Sequence, residues 1–155
     1  MQTAQRRMSK MATSYLVSCV SRKRAGPVPA EALYISDWFT KARAYVHAHL
    51  RPGDQWFILS AEHHLLEPTR VVAHYDKSLG TMSKVERQEW GRKIVKQLIP
   101  RLSRGDNVTI LAGSLYRASF VPMLLAEGYE VTVPMEKLPI GRQLAWLRMH
   151  LGAEA

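Results

Sequence analysis

An imidazole, a carboxylate and two kinds of hydroxyl follow one apolar run in this chain. The run is Trp56 to Ala61, and it ends abruptly in Glu62, His63 and His64, with Tyr75 and Asp76 soon after. A buried strand that opens into a polar loop has this pattern. Strand ends in α/β folds hold side chains rigidly and still let them meet a ligand. Ser60, His63, Tyr75 and Asp76 are therefore expected at the mouth of a site. Histidine titrates near neutrality and can act as acid, base or hydrogen-bond donor. A carboxylate beside a phenol can activate water or stabilise a sugar cation as a glycosidic bond opens. The plainer readings are a loop histidine on a backbone carbonyl and a turn-forming Asp; for His64 the plainer reading is preferred.

Three other polar groups fall at strand ends. Ser18 and Cys19 precede a basic, Pro-bearing loop, Ser21 to Pro29, whose Arg22, Lys23 and Arg24 suit phosphates. Cys19 also reads as a small core residue. Gly113 and Ser114 open a helix whose free N–H groups suit an anion, with Arg117 one turn on. Glu136 and Gln143 flank a later loop, and the Gln amide suits a base edge. No GxxxxGK, GxGxxG, HExxH or GxSxG pattern occurs. Neither a metal nor a cofactor is expected, and a lone cysteine excludes a zinc site built on paired thiolates.

These groups need a scaffold of alternating elements. Strands are expected at Tyr15 to Val20, Trp56 to Ser60, Val108 to Ala112 and Glu130 to Pro134, with a short edge strand at Arg70 to Ala73. Helices are expected from Glu31 to Leu50, from Ser83 to about Pro100, from Gly113 to Gly128, and from Arg142 to Leu151. Ser83 and Glu86 form a capping-box pair, and Val85, Trp90, Ile94, Val95 and Leu98 its helix's inner stripe. Pro122 predicts a kink or a broken first turn, and Gly128 a C-terminal cap. The alternation predicts one α/β domain with a largely parallel central sheet of four to five strands flanked by helices.

The chain is 155 residues long, enough for one domain with a real core. Residues 1–12 read as a disordered lead-in or a misplaced start, and residues 13–155 as the domain. No apolar run is long enough for a membrane helix, and the N-terminus lacks the apolar stretch of a signal peptide. The single cysteine forms no internal disulfide, which points to a reducing, cytoplasmic setting. The net charge is +9, which favours a polyanionic partner, nucleic acid above all. Oligomeric state is not legible.

Several blocks in order carry a resemblance. They are Leu16-Val17-Ser18-Cys19 with Ser21 and Lys23, then Ala32-Leu33-Tyr34 with Ser36 and Phe39. Leu59-Ser60-Ala61 with His63, Leu65, Leu66 and Pro68 follows, then Tyr75-Asp76 and finally Gly141-Arg142-Gln143 with Trp146. Together they resemble a family of small bacterial and phage proteins catalogued as a domain of unknown function. That family is similar, more remotely, to the YaaA family of DNA-associated stress proteins and to part of the archaeosine synthase group. His64 stands where the family usually has Gly, and His74 where it usually has Pro. The resemblance implies handling of nucleic-acid bases. With the charge and the strand-end residues, it leads to a DNA glycosylase-like enzyme as the first expectation. Asp76 and His63 would be catalytic, and Ser18, Cys19, Ser60, Tyr75, Gly113, Ser114, Glu136 and Gln143 would hold the base or its surroundings. Arg22, Lys23, Arg24 and Arg117 would hold phosphates of DNA. A non-catalytic nucleic-acid-binding protein and an enzyme of free nucleosides or nucleotides are the alternatives.

Overall fold

The computed structural model describes residues 11–152. The lead-in expected over residues 1–12 lies outside the described residues up to Lys10. Ala12 is already tied to the domain: its N–H donates to Asp106 Oδ1 at 3.1 Å and its carbonyl accepts from Asn107 N–H at 3.0 Å.

Strand β1 (Thr13–Ser18) lies at the centre of a five-stranded sheet. It pairs in parallel with β3 (Gln55–Ser60) on one side and with β6 (Asn107–Leu111) on the other. Beyond β6 lies β7 (Glu130–Thr132), also parallel, and beyond β3 lies β4 (His64–Leu66), antiparallel. β1 pairs on both sides and is buried on both faces, which is why it reads as a continuous apolar run.

Alternate residues serve opposite layers. Tyr15 and Val17, with Trp56 and Ile58, pack toward Ala42, Tyr45 and Val46 of α2 (Asp37–His49) and Leu147 of α5 (Ile140–Gly152). Leu16, Phe57, Leu59, Val108 and Ile110 pack toward α3 (Lys84–Leu98) and α4 (Ser114–Ala126). Each large side chain closed off in this way contributes on the order of 2 kcal/mol. The result is the expected three-layer α/β domain.

Some elements differ from expectation. The helix expected from Glu31 to Leu50 is interrupted: α1 is only Ala30–Leu33, Tyr34 is extended, and Ser36 caps α2 by accepting from Phe39 N–H at 3.0 Å. The basic loop causes the break. Arg24 N–H donates to Leu33 O and Ile35 N–H to Arg22 O, so the chain between the helices pairs as a strand would. The Arg70 to Ala73 strand exists as β5 (Val71–Val72), but it pairs with β2 (Val28–Pro29) in a separate ribbon, not at the main sheet's edge. β4 occupies part of what reads as a polar loop. Val85 is 73% exposed and does not belong to the inner stripe of α3. Pro122 is carried inside α4, which is continuous from Ser114 to Ala126.

The expected caps form. Ser83 Oγ accepts from Glu86 N–H, and Glu86 Oε1 accepts from Ser83 N–H at 2.7 Å. Gly128 follows α4 at φ 91°, where a side chain is disfavoured, and Tyr129 N–H returns to Leu124 O.

His64 opens β4 at φ 62°, the left-handed region that favours glycine. Replacing His64 with Gly is expected to raise stability by up to about 1 kcal/mol. Urea denaturation checks this; a loss of stability would mean that imidazole contacts outweigh the backbone strain.

Candidate functional site

β1 leads the chain to β3 on one side, whereas β6 leads it to β7 on the other. Open α/β sheets form a ligand crevice at the carboxyl ends of strands that part in this way. A cleft of about 250 Å³ lies there. Cys19, Ser21 and Lys23 line it from the end of β1, Tyr116 from the first turn of α4, and Asp76 and Lys77 from the loop before α3. It is smaller than the roughly 300–1,000 Å³ of sites for drug-sized ligands, so it suits one small group.

A chain of hydroxyls braces this mouth. Ser60 Oγ donates to Tyr75 Oη at 2.9 Å, and Tyr75 Oη is 2.6 Å from Tyr34 Oη. Ser60 Oγ also accepts the N–H of His63 at 2.9 Å and of Glu62 at 3.2 Å. One buried serine thus shapes the turn after β3 and anchors the Tyr75–Asp76 loop. Tyr34 reaches this chain because α1 and α2 are separate helices. Burial pushes the Tyr34 phenol up to about 12 and the Tyr75 phenol further, so both remain neutral hydroxyls at physiological pH. Burial raises Tyr116 as well, and its Oη lies 3.3 Å from Cys19 Sγ.

Lys23 Nζ lies 4.5 Å from the centroid of the Tyr75 ring and donates to Ser21 O at 3.3 Å. A cation over a phenol face is held at low entropic cost. Arg22 and Arg24 alternate with Lys23 and are exposed. The Asp76 side chain is 90% exposed, and its Oδ1 is 3.8 Å from His74 Nε2. His63 does not line the cleft. Its ring stands edge-on to Tyr75 at 5.3 Å, which places it beside the Tyr75–Asp76 segment.

The other expected residues occupy a separate mouth. Gly113, Ser114, Arg117, Glu136 and Gln143 line a second cleft of about 250 Å³ beyond the first turn of α4. The strand-end residues expected from sequence therefore divide between two mouths, with that turn between them. Gln143 is not free to read a base: Oε1 accepts from Trp38 Nε1 at 2.9 Å and Nε2 donates to Leu138 O at 2.8 Å. Its amide docks α5 against α2. Arg117 Nε donates to Ala112 O at 3.0 Å, and its Nη1 is 3.6 Å from Glu136 Oε2. Ser60 is fully buried and Ser18 is buried in β1, so both serve the site from behind its surface.

Sequence reasoning missed Lys77, which directly follows Tyr75–Asp76, and the site role of Tyr116. Three residues after Gly113, Tyr116 falls in the first turn of α4, on the cleft side. Trp90 sits on the expected inner stripe, and its indole Nε1 also donates to Ser60 O at 2.9 Å and closes the back of the site. No group of three or more metal-type side chains converges among the described residues. No helix among them is long and apolar enough to cross a membrane.

Burial lowers the pKa of His63, with Arg70 adding to the effect and Glu62 opposing it. Burial also lowers His64, followed by Lys93 and Lys77. Both imidazoles are neutral at physiological pH. As pH falls through about 6.5, the unfolded chain takes up these protons before the folded one does, so stability declines. The loss levels off once pH is below the folded values. Thermal midpoints between pH 8 and pH 5 check this, and replacing both histidines with Gln is expected to flatten that part of the curve.

Residues 14–149 match the family of unknown function DUF6884. The chain belongs to this family. The matched segment contains both clefts, the hydroxyl chain and every strand of the main sheet except its first residue, Thr13. No curated protein and no solved structure matches the chain.

Proposed function

We propose that this DUF6884 protein is a DNA glycosylase-like enzyme that hydrolyses the N-glycosidic bond of a modified or damaged base. One observation carries the reading: a carboxylate, Asp76, shares a switch-point cleft with the cations Lys23 and Lys77. The cations suit phosphates on either side of a flipped nucleotide, and the carboxylate suits the sugar between them. The C1′–N bond breaks with its electron pair passing to the base. Water adds to C1′, and Asp76 stabilises the cationic sugar or takes the proton of that water. His63, beside Tyr75 and outside the cleft lining, steadies the Tyr75–Asp76 segment that carries the carboxylate. Cys19 and Tyr116 form the wall against which the base rests.

The net charge of +9 supports a polyanionic substrate, and the lone cysteine suits a cytoplasmic setting. The likeness to the YaaA family and to part of archaeosine synthase, and a bacterial or phage setting, belong to the same reading. Exposure of Arg22 and Arg24 favours a second one, a non-catalytic nucleic-acid-binding accessory protein.

Incubation with a panel of DNAs bearing modified bases, followed by mass spectrometry, tests the proposal. The expected result is release of one class of base. Salt-dependent binding without release from any DNA would leave the accessory reading. Turnover of free nucleosides with little salt dependence would replace both.

A further inference from the structure

Lys77 lines two clefts. On one side is the site just described. On the other is a cleft of about 190 Å³ whose lining includes Ala61, His64, Met82, Glu89 and Lys93. The two depressions therefore meet at one side chain and place Lys23, Lys77 and Lys93 in succession across the carboxyl end of the sheet.

Two carboxylates, Glu86 and Glu89, also line this smaller cleft. Glu86 Oε1 accepts from Ser83 N–H at 2.7 Å in the cap of α3, and Glu89 Oε2 accepts from Arg92 Nη1 at 2.8 Å. Neither Lys77 nor Lys93 forms an ion pair among the described residues. Burial, with the fields of Lys93 and Lys77 adding to it, keeps the His64 imidazole uncharged. An incoming anion thus meets Lys77 and Lys93 beside a neutral ring, with the capped carboxylate of Glu86 and the Arg92-paired carboxylate of Glu89 on the same lining.

We propose that the two clefts form one trough for a single nucleic-acid strand. The extrahelical base occupies the first cleft, and Lys77 and Lys93 hold the phosphate of a neighbouring nucleotide over the smaller one. Each cleft has the scale of one nucleotide component, too small for a duplex. The substrate is then a strand extending at least one nucleotide past the target base, not a free nucleoside. This rests on the nucleic-acid part of the function proposed above and is independent of its chemistry.

Lys93 is exposed on α3 and outside the catalytic assignments, so Lys93→Gln is expected to fold normally. Binding of single-stranded oligonucleotides is measured by fluorescence anisotropy over a series of salt concentrations. Arg148→Gln, an exposed change on α5, controls for net charge. The expected result is a several-fold loss of affinity for Lys93→Gln alone, with the salt slope reduced by about 0.7 for one lost phosphate contact. Equal losses for the two variants, or none for either, would overturn the trough. Selective loss with no base release from any DNA keeps the trough and removes the glycosylase reading. Base release with affinity indifferent to Lys93 does the reverse.

Discussion

Replacing Gly91 with Ala is expected to cost at least about 3 kcal/mol of stability, the upper end for an overpacked core. A Cβ at Gly91 would lie 1.8 Å from Ser119 O and 2.5 Å from Ser119 C. The obstacle is backbone, so no rotamer change relieves it. α3 and α4 would have to separate, and the site depends on their spacing. Trp90, adjacent to Gly91, stands edge-on to Tyr116 at 5.6 Å and to Phe120 at 6.2 Å, and its indole binds Ser60 O. Separating the helices pulls Tyr116 from Cys19 and removes the wall of the first cleft. Urea denaturation gives the measurement. Gly141→Ala is the control, since nothing lies within 4 Å of its Cβ, and it is expected to be neutral or to gain about 0.5–1 kcal/mol in the first turn of α5. A Gly91→Ala protein as stable as the parent would refute this close crossing of α3 and α4.

Asp76→Asn is expected to lower base release at least about 100-fold, the range for loss of a group acting directly in the transition state. Folding should be unaffected. The side chain is 90% exposed and the His74 imidazole is 3.8 Å away, a surface contact worth at most about 1 kcal/mol. DNA binding should be retained or tightened, because a negative charge leaves the cleft beside Lys23 and Lys77. His63→Ala should cost less, since His63 stands beside Tyr75 and outside the lining. The rate of release from the substrate base, measured under single turnover, separates these effects. Unchanged release in the double variant would strip both residues of their assigned roles.

The hydroxyl chain shows how far the candidate site can be read without coordinates. Ser60, Tyr75, His63 and Asp76 stand out because an apolar strand ends in polar residues, and the fold does bring them into one neighbourhood. Their division of labour is not legible. Ser60 became a buried brace because its hydroxyl meets two N–H groups of its own turn and the Tyr75 phenol. Tyr34 joined because pairing of the basic loop broke a helix that local periodicity would have continued. Glu136 and Arg117 do sit together, but on the far side of the first turn of α4 from Asp76.

The sequence by itself determined the alternation of strands and helices, the central place of apolar β1-like runs, the Ser83–Glu86 cap and the glycine after α4. These depend on residues within a few positions of one another, where backbone geometry sets the period. Tertiary structure alone decided which polar groups remain free for a ligand. Gln143 is lost to Trp38, 105 residues away, while Lys77 is gained because its loop folds between two clefts. A hydrogen-bonding group is available only when no partner has been brought to it, and distant partners are chosen by how the layers pack.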